Sequence, residues 1–185
     1  MTAAAKEFDR HGFNGASLNN ISNSTGVSMG ALTFHFRAKE LLVDAVHERA
    51  ASLMREAVER AVEEDGAPLH RARNVLLAVA NLLKKESAVR AAARLSRERK
   101  GKGDEWIKTW LPALRDQLQL AAALGDLDTD ADVETIAALV TSLLAGLEIS
   151  LRTPKGMPGP LRSPEHLWDL IRPALTARQV PVRVT

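Results

Sequence analysis

The residues best equipped for chemistry in this 185-residue chain lie between Ser17 and Lys39. They offer hydroxyls, side-chain amides and one ammonium, groups that exchange hydrogen bonds and charge rather than break bonds. Ser28 can cap a helix running to about His35. On it Leu32 and Phe36, four apart, point to a core, while Met29 and Thr33, also four apart, share an outward face. Upstream, Ser17 caps a shorter helix with Leu18 and Ile21 inward and Asn19, Asn20 and Asn23 outward. Thr25-Gly26-Val27 breaks it, Gly26 supplying left-handed backbone and Val27 an apolar anchor beneath the turn. Two short helices about a tight turn form a helix-turn-helix, whose second helix enters the major groove with its N-terminal residues nearest the base edges. Ser28, Met29, Gly30 and Thr33 then face the bases, Ser17, Phe34 and His35 complete the set, and Lys39 opens the next helix where a phosphate lies. The implied partner is duplex DNA.

Other chemistries find no residues. Cysteine is absent, which removes disulfides and thiolate metal sites. No G-x-S-x-G elbow or phosphate-cradling G-x-x-x-x-G-K occurs, and the five histidines are scattered, so no catalytic set, metal site or cofactor is implied. His35 reads as packing beside Phe36, and His11, His47, His70 and His166 as surface residues. The basic run from Arg90 to Lys102 reads as a solvated helix end, because Glu98 interrupts it and no aromatic is interleaved. Charges interrupt every helix-sized window and no signal peptide is present, so the expectation is a soluble cytoplasmic protein without membrane contact. The head's cations Lys6, Arg10, Arg37, Lys39 and Arg49 are balanced by Glu7, Asp9, Glu40, Asp44 and Glu48. Phosphate neutralisation, a main source of DNA affinity, is therefore weak here.

The elements that must position these residues are all helical. Thr2 to His11 is the first, closed by Gly12, and all four phenylalanines (Phe8, Phe13, Phe34, Phe36) fall where a small three-helix head needs bulk. Ala38 to Glu64 is a long connecting helix with Leu42, Val46, Leu53, Ala57 and Ala61 along one stripe. Asp65-Gly66-Ala67-Pro68 ends it and starts a helix from Leu69 to Lys85; another spans Ser87 to Glu98. Asp104 caps a helix reaching Leu124, with a kink or late start at Pro112. After a turn at Gly125–Asp128 comes an apolar helix from Asp130 to Leu151, then a proline-rich crossover over Thr153–Pro164 and a last helix to Ala177. The expected fold is all-α: a helix-turn-helix head at 1–48 and a larger helical body at 49–185 that carries dimerisation and, by the resemblance given below, ligand binding. Since a twofold dimer is the usual way such heads read two half-sites, Val140, Leu143, Leu147 and Leu151 of one late helix and Leu167, Leu170 and Ile171 of the other are the candidate homodimer interface.

The stretch A-A-K-E-F-D-R-H-G-F, the turn G-V-S and G-A-L-T-F-H-F-R-A-K-E-L-L resemble the DNA-binding head of TetR-type bacterial repressors. Gly26, Val27, Ser28, Gly30, Leu32, His35, Phe36 and Lys39 match that pattern at fixed spacing. Within the family, helix one usually begins earlier behind a basic arm, so the head here reads as short. The body is similar to γ-butyrolactone autoregulator receptors, through Ser87–Leu95, Trp106, the G-D-L at Gly125–Leu127 and L-W-D-L-I-R-P near the end. That resemblance implies a repressor released from operator DNA by a small effector, a γ-butyrolactone, butenolide, furan or other molecule. It places Trp106 on the ligand wall, with Trp110 one turn on, and Leu144 and Ala145 beside them; a core role is the commoner fate of a tryptophan. Ala50 and Ala145 stand where such receptors often carry Gln and Thr, and Met29 and Thr33 where they carry Lys and Tyr. The alternative is a helical ligand-binding or heterodimerising protein with impaired DNA binding.

Overall fold

The computed structural model describes residues 1–98, 105–128, 132–152 and 163–176. Among these, nine α-helices and one 3-10 turn account for the architecture: α1 (Thr2–Gly15), α2 (Leu18–Thr25), α3 (Met29–His35), α4 (Lys39–Glu63), α5 (Pro68–Lys85), α6 (Ser87–Glu98), α7 (Leu111–Ala123), α8 (Val133–Arg152) and α9 (Pro164–Leu175). The all-α expectation holds. Asp104, drawn as a helix cap, lies outside the described residues; the 3-10 turn Ile107–Thr109 comes first and α7 has the late start expected at Pro112, which sits in its first turn, where a missing N–H costs nothing. The crossover at 153–162 and the end of the basic run at 99–102 also lie outside them.

Local signals act largely as their chemistry requires. Ser17 Oγ accepts from Asn20 N, Ser28 Oγ accepts from Ala31 N at 3.2 Å, and Gly26 ends α2 with φ 69°. Two expectations fail in the head. Val27 is 43% exposed; the turn is fastened instead by the buried Ser22, whose hydroxyl donates to Val27 O at 2.6 Å. Phe34 is 79% exposed, so Phe8 fills the core, helped by partly buried Phe13 and Phe36. Gly12 interrupts α1 with φ 66° and ψ −169°, after which one further turn runs to Gly15.

Two buried clusters meet along α4. The head cluster joins Ala4, Ala5, Phe8, Ile21, Leu32, Leu42, Val43 and Val46; the body cluster starts at Ala50 and takes in Met54, Val58, the inner faces of α5, α7 and α8, and Trp168. The buried line on α4 therefore runs 42, 46, 50, 54, 58, 61, and Leu53 and Ala57 of the expected stripe are only half-buried. Steps of four drift around a 3.6-residue helix, so the stripe turns from one core to the other.

The head is not self-contained. Ala88, Ala91 and Leu95 of α6 belong to its core, and α6 lies along α1. This overturns the reading of the Arg90 run as a solvated helix end. Arg90 Nε donates to Asp9 Oδ2 at 2.7 Å and its Nη1 to Leu83 O; Arg94 donates to Asp9 O and to Glu98 Oε1; Arg97 pairs with Glu148. The arginines are spaced to span the seam between head and body.

By length and composition α8 could cross a membrane, with a mean hydropathy of 1.5 over its apolar window, contrary to the expectation that charges forbid this in every window. It packs on α5 and α7 and buries the charged Glu148. Val140 and Leu147, expected at a dimer interface, are core residues of the single chain at 0% and 2% exposure. The apolar groups α8 leaves outside are Leu139 and Ile149.

Candidate nucleic-acid interface and ligand pocket

The outward face of α3 is small and uneven. Ser28, Gly30, Ala31, Thr33, Phe34 and His35 are exposed. Thr33 Oγ1 donates to Met29 O at 2.9 Å, so its hydroxyl hydrogen is spent on its own helix and its methyl group faces out. Met29, expected on the outward face, is half-buried and packs against the head core, where its flexible thioether seats the first turn. His35 does not pack beside Phe36 as expected; it is exposed and meets Phe34 edge-on, with ring centroids 5.5 Å apart. A Cβ at Gly30 would touch nothing within 4 Å and the backbone there is ordinary helix, so the fold does not require glycine. Glycine inside a helix costs roughly 0.5–1 kcal/mol against alanine.

Flanking groups are held by neighbours. Lys39 Nζ sits 4.9 Å from the centroid of the Phe13 ring, which keeps the ammonium at the start of α4 without neutralising it. Ser17 N and Asn20 Nδ2 both donate to Glu7 Oε1 at 3.0 Å, tying the start of α2 to α1. Glu7 and Asp9 thus turn inward to structural duties, while Lys6, Arg10 and Arg37 remain exposed. The head's formal neutrality hides this division.

In the body, a cavity of about 210 Å³ opens between α4, α6 and the residues before α7. Ala50, Ala51, Met54, Val89, Ala92 and Trp106 form its apolar wall, and His47, Glu48, Glu105 and Thr109 its polar part. The two alanines on α4 create the gap, since larger side chains there would fill it. Trp106 takes its expected place on the wall. Trp110 stands behind it, 5.6 Å between rings, fully buried and outside the lining; its Nε1 has no hydrogen-bond partner among the described residues. Leu144 and Ala145 do not line the cavity: Leu144 is packed in the body core and Ala145 is half-buried on α8. His47 is not a surface residue but a half-buried part of the lining. A periodicity search sees His47, Ala51 and Met54 as ordinary positions on a long helix, so only their juxtaposition with α6 reveals them.

Of the other interface candidates, Leu143, Leu151, Leu167 and Ile171 are half-buried and Leu170 is 75% exposed.

Residues 1–46 match the family model for bacterial regulatory proteins of the tetR family, the span of the head just described. The head is therefore of the tetR-family type. Over 177 residues it is 26% identical to the A-factor receptor protein of Streptomyces griseus, covering 95% of this chain and spanning 62% of that relative's length. Among solved structures it is similar to the TetR-family protein CprB of Streptomyces coelicolor in complex with its operator sequence, at 25% identity and TM-score 0.76, covering 96% of this chain and 86% of that one. A γ-butyrolactone receptor described as ArpA-like gives TM-score 0.75 at 25% identity, with coverage of 96% and 86%. The family matched by the head is one of bacterial regulatory proteins.

Proposed function

We propose that this chain is a ligand-responsive transcriptional regulator that binds duplex operator DNA as a homodimer through α3 and is released by a small, largely apolar molecule bound beside Trp106. The observation that carries the reading is α6. Its Val89 and Ala92 line the cavity while its Ala88, Ala91 and Leu95 lie in the head core, so one rigid helix touches both ligand and DNA-binding head. A molecule that fits one placement of α6 better than another changes the separation of the two recognition helices, which half-sites about 34–36 Å apart would register. The Gly30 surface, bare of side chain where the fold does not need it, supports close approach of α3 to DNA.

The dimer surface is assigned to the exposed apolar groups of the last two helices, Leu139 and Ile149 of α8 with Leu170 of α9, and to the half-buried Leu143 beside them, while Val140 and Leu147 stay in the core. The relatives' names point to γ-butyrolactone-type effectors. With Ala50 on the wall, however, the cavity lacks an amide at that position, which favours a ligand that makes fewer polar contacts.

A mobility-shift titration with the chain's own upstream DNA tests the main claim. A specific complex is expected, with weak salt dependence for wild type and, for Ala31→Lys at an exposed position of α3, tighter binding and a salt slope steeper by about one. No specific complex at any salt would leave a ligand-binding or heterodimerising protein as the better reading. For the pocket, thermal-shift titration with butyrolactones, butenolides and furans is expected to give at least one stabilising ligand whose effect shrinks about tenfold in apparent affinity in Trp106→Phe, a change that keeps an aromatic in the wall. Equal affinity in both proteins would remove Trp106 from the site.

A further inference from the structure

We infer, on the footing that α3 binds operator DNA, that this helix reads thymine: the ring of Phe34 meets the C5 methyl group of a thymine in the major groove of each half-site. Phe34 is the most exposed large apolar side chain of the described residues, at 79%, in a head that buries Phe8 and partly buries Phe13 and Phe36. A lone exposed apolar residue is ordinary on a protein surface. The place of this one, on the outward face of the recognition helix and among the groups that share that face, is what gives it meaning.

From Met29 to His35, α3 carries no side-chain amide, guanidinium, ammonium or carboxylate. The contacts that distinguish guanine, adenine and cytosine in the major groove come from Arg or Lys, Asn or Gln, and Asp or Glu respectively. Thr33 donates its hydroxyl hydrogen to Met29 O at 2.9 Å, with Gly30 O at 3.2 Å beside it, and so presents its methyl group. Ser28 and His35 stand at the two ends of the helix, where each can give a single hydrogen bond and not a paired one. The middle of the face is apolar, and the apolar group that projects into the major groove is the thymine methyl, which phenylalanine and the threonine methyl both suit.

Gly30 and Phe34 are four apart and share one line of the helix. A Cβ at Gly30 would meet nothing within 4 Å, so the space over that backbone is open. Helical side chains lean toward the N-terminus, which aims the Phe34 ring along this bare stretch, while His35 braces it edge-on with ring centroids 5.5 Å apart. A helix of this length spans about 10 Å, less than the roughly 12 Å width of the major groove, so the Phe34 end of α3 enters the groove together with the Gly30 end. A thymine methyl resting between the Phe34 ring and the Gly30 backbone, with the Thr33 methyl to one side, buries apolar surface on both partners and needs no hydrogen bond. This readout is separate from the phosphate contact of Lys39, which positions the head without selecting a base.

Deleting methyl groups from the DNA tests this. In the specific complex of the full chain with its own upstream operator, each thymine is replaced in turn by deoxyuridine, which removes the C5 methyl and keeps the base pair. At least one position, recurring in both half-sites, is expected to weaken wild-type binding about fourfold for each methyl lost. That ratio should stay the same at low and high salt, because no phosphate charge is involved. Phe34→Ala is expected to bind the unmodified operator about tenfold more weakly, to lose nothing further from deoxyuridine at that position, and to melt as wild type does, since the ring is exposed. No specific complex with unmodified DNA would sink the operator-binding reading and the thymine assignment with it. A specific complex that no deoxyuridine weakens by about twofold or more, undiminished affinity in Phe34→Ala, or a methyl dependence that survives intact in Phe34→Ala would overturn the thymine assignment alone.

Discussion

Replacing both Arg97 and Arg152 with alanine is expected to destabilise the fold by about 3–5 kcal/mol, a large share of the roughly 5–15 kcal/mol that holds a typical domain together. Glu148 is the reason. It sits on α8 at 0% exposure, one turn before Arg152 and opposite Arg97 of α6, and these are its ion-pair partners among the described residues. A carboxylate taken out of water with no partner pays its full desolvation cost or takes up a proton. Each single substitution leaves one guanidinium in place and should cost much less, so the double variant should exceed the sum of the singles. Adding Glu148→Leu removes the stranded charge and is expected to recover most of the loss, because an apolar group of similar volume suits the site. Urea denaturation of the four variants measures this directly. A double variant within about 1 kcal/mol of wild type would mean that Glu148 is solvated, and a triple variant no better than the double would mean that the loss was packing rather than charge.

The same seam shows where sequence reasoning reached and where it stopped. Helix caps, the Gly26 turn and the spans of α5 and α6 were legible because each depends on neighbours within a few residues: Ser28 caps because Ala31 N lies one turn away. The outward direction of Gly30 and Thr33 was legible, since their spacing on a helix sets it. Phe34, read both as bulk for the head and as part of the DNA-facing set, is exposed, and Met29, taken for surface, is half-buried, since a short helix with few apolar residues leaves its rotation ambiguous by a residue. Partners far apart in the chain left no local trace. Nothing near Arg90 announces Asp9, 81 residues away, and a run of arginines on a helix end is usually solvated. The cavity wall was legible at Trp106, where size alone is informative, and illegible at His47 and Ala51, where only α6 packing against α4 makes a cavity. Val140 and Leu147 read as interface because apolar stripes on a wide helix look alike whether they face a core or a partner.

Gly12→Ala is expected to cost roughly 2–4 kcal/mol and to loosen the head from α6. At φ 66° and ψ −169° the backbone of Gly12 occupies a region open essentially to glycine alone. A Cβ there would also fall on the Glu98 carboxylate. That carboxylate cannot swing aside without loss, because Oε2 accepts from Phe13 N at 2.8 Å and Oε1 from Arg94 Nε at 2.6 Å. Burial pushes the Glu98 pKa up, but the bonds from Arg94 and Phe13 N–H and the charges of Arg94 and Arg152 outweigh it, leaving the carboxyl below its ordinary value. A depressed carboxylate contributes its stability at pH above the ordinary range near ~4.3, and the contribution disappears as pH falls through the lowered value. Two measurements therefore separate backbone strain from loss of the clasp. Glu98→Gln should lower the melting temperature at neutral pH, with the difference from wild type closing as the solution is acidified, whereas the Gly12→Ala deficit should persist in acid because the backbone term does not titrate. Hydrogen exchange at the Phe13 amide should accelerate in both variants at neutral pH. A Gly12→Ala protein that melts with wild type, or retains wild-type protection at Phe13, would show that α1 reaches the seam without needing the left-handed residue.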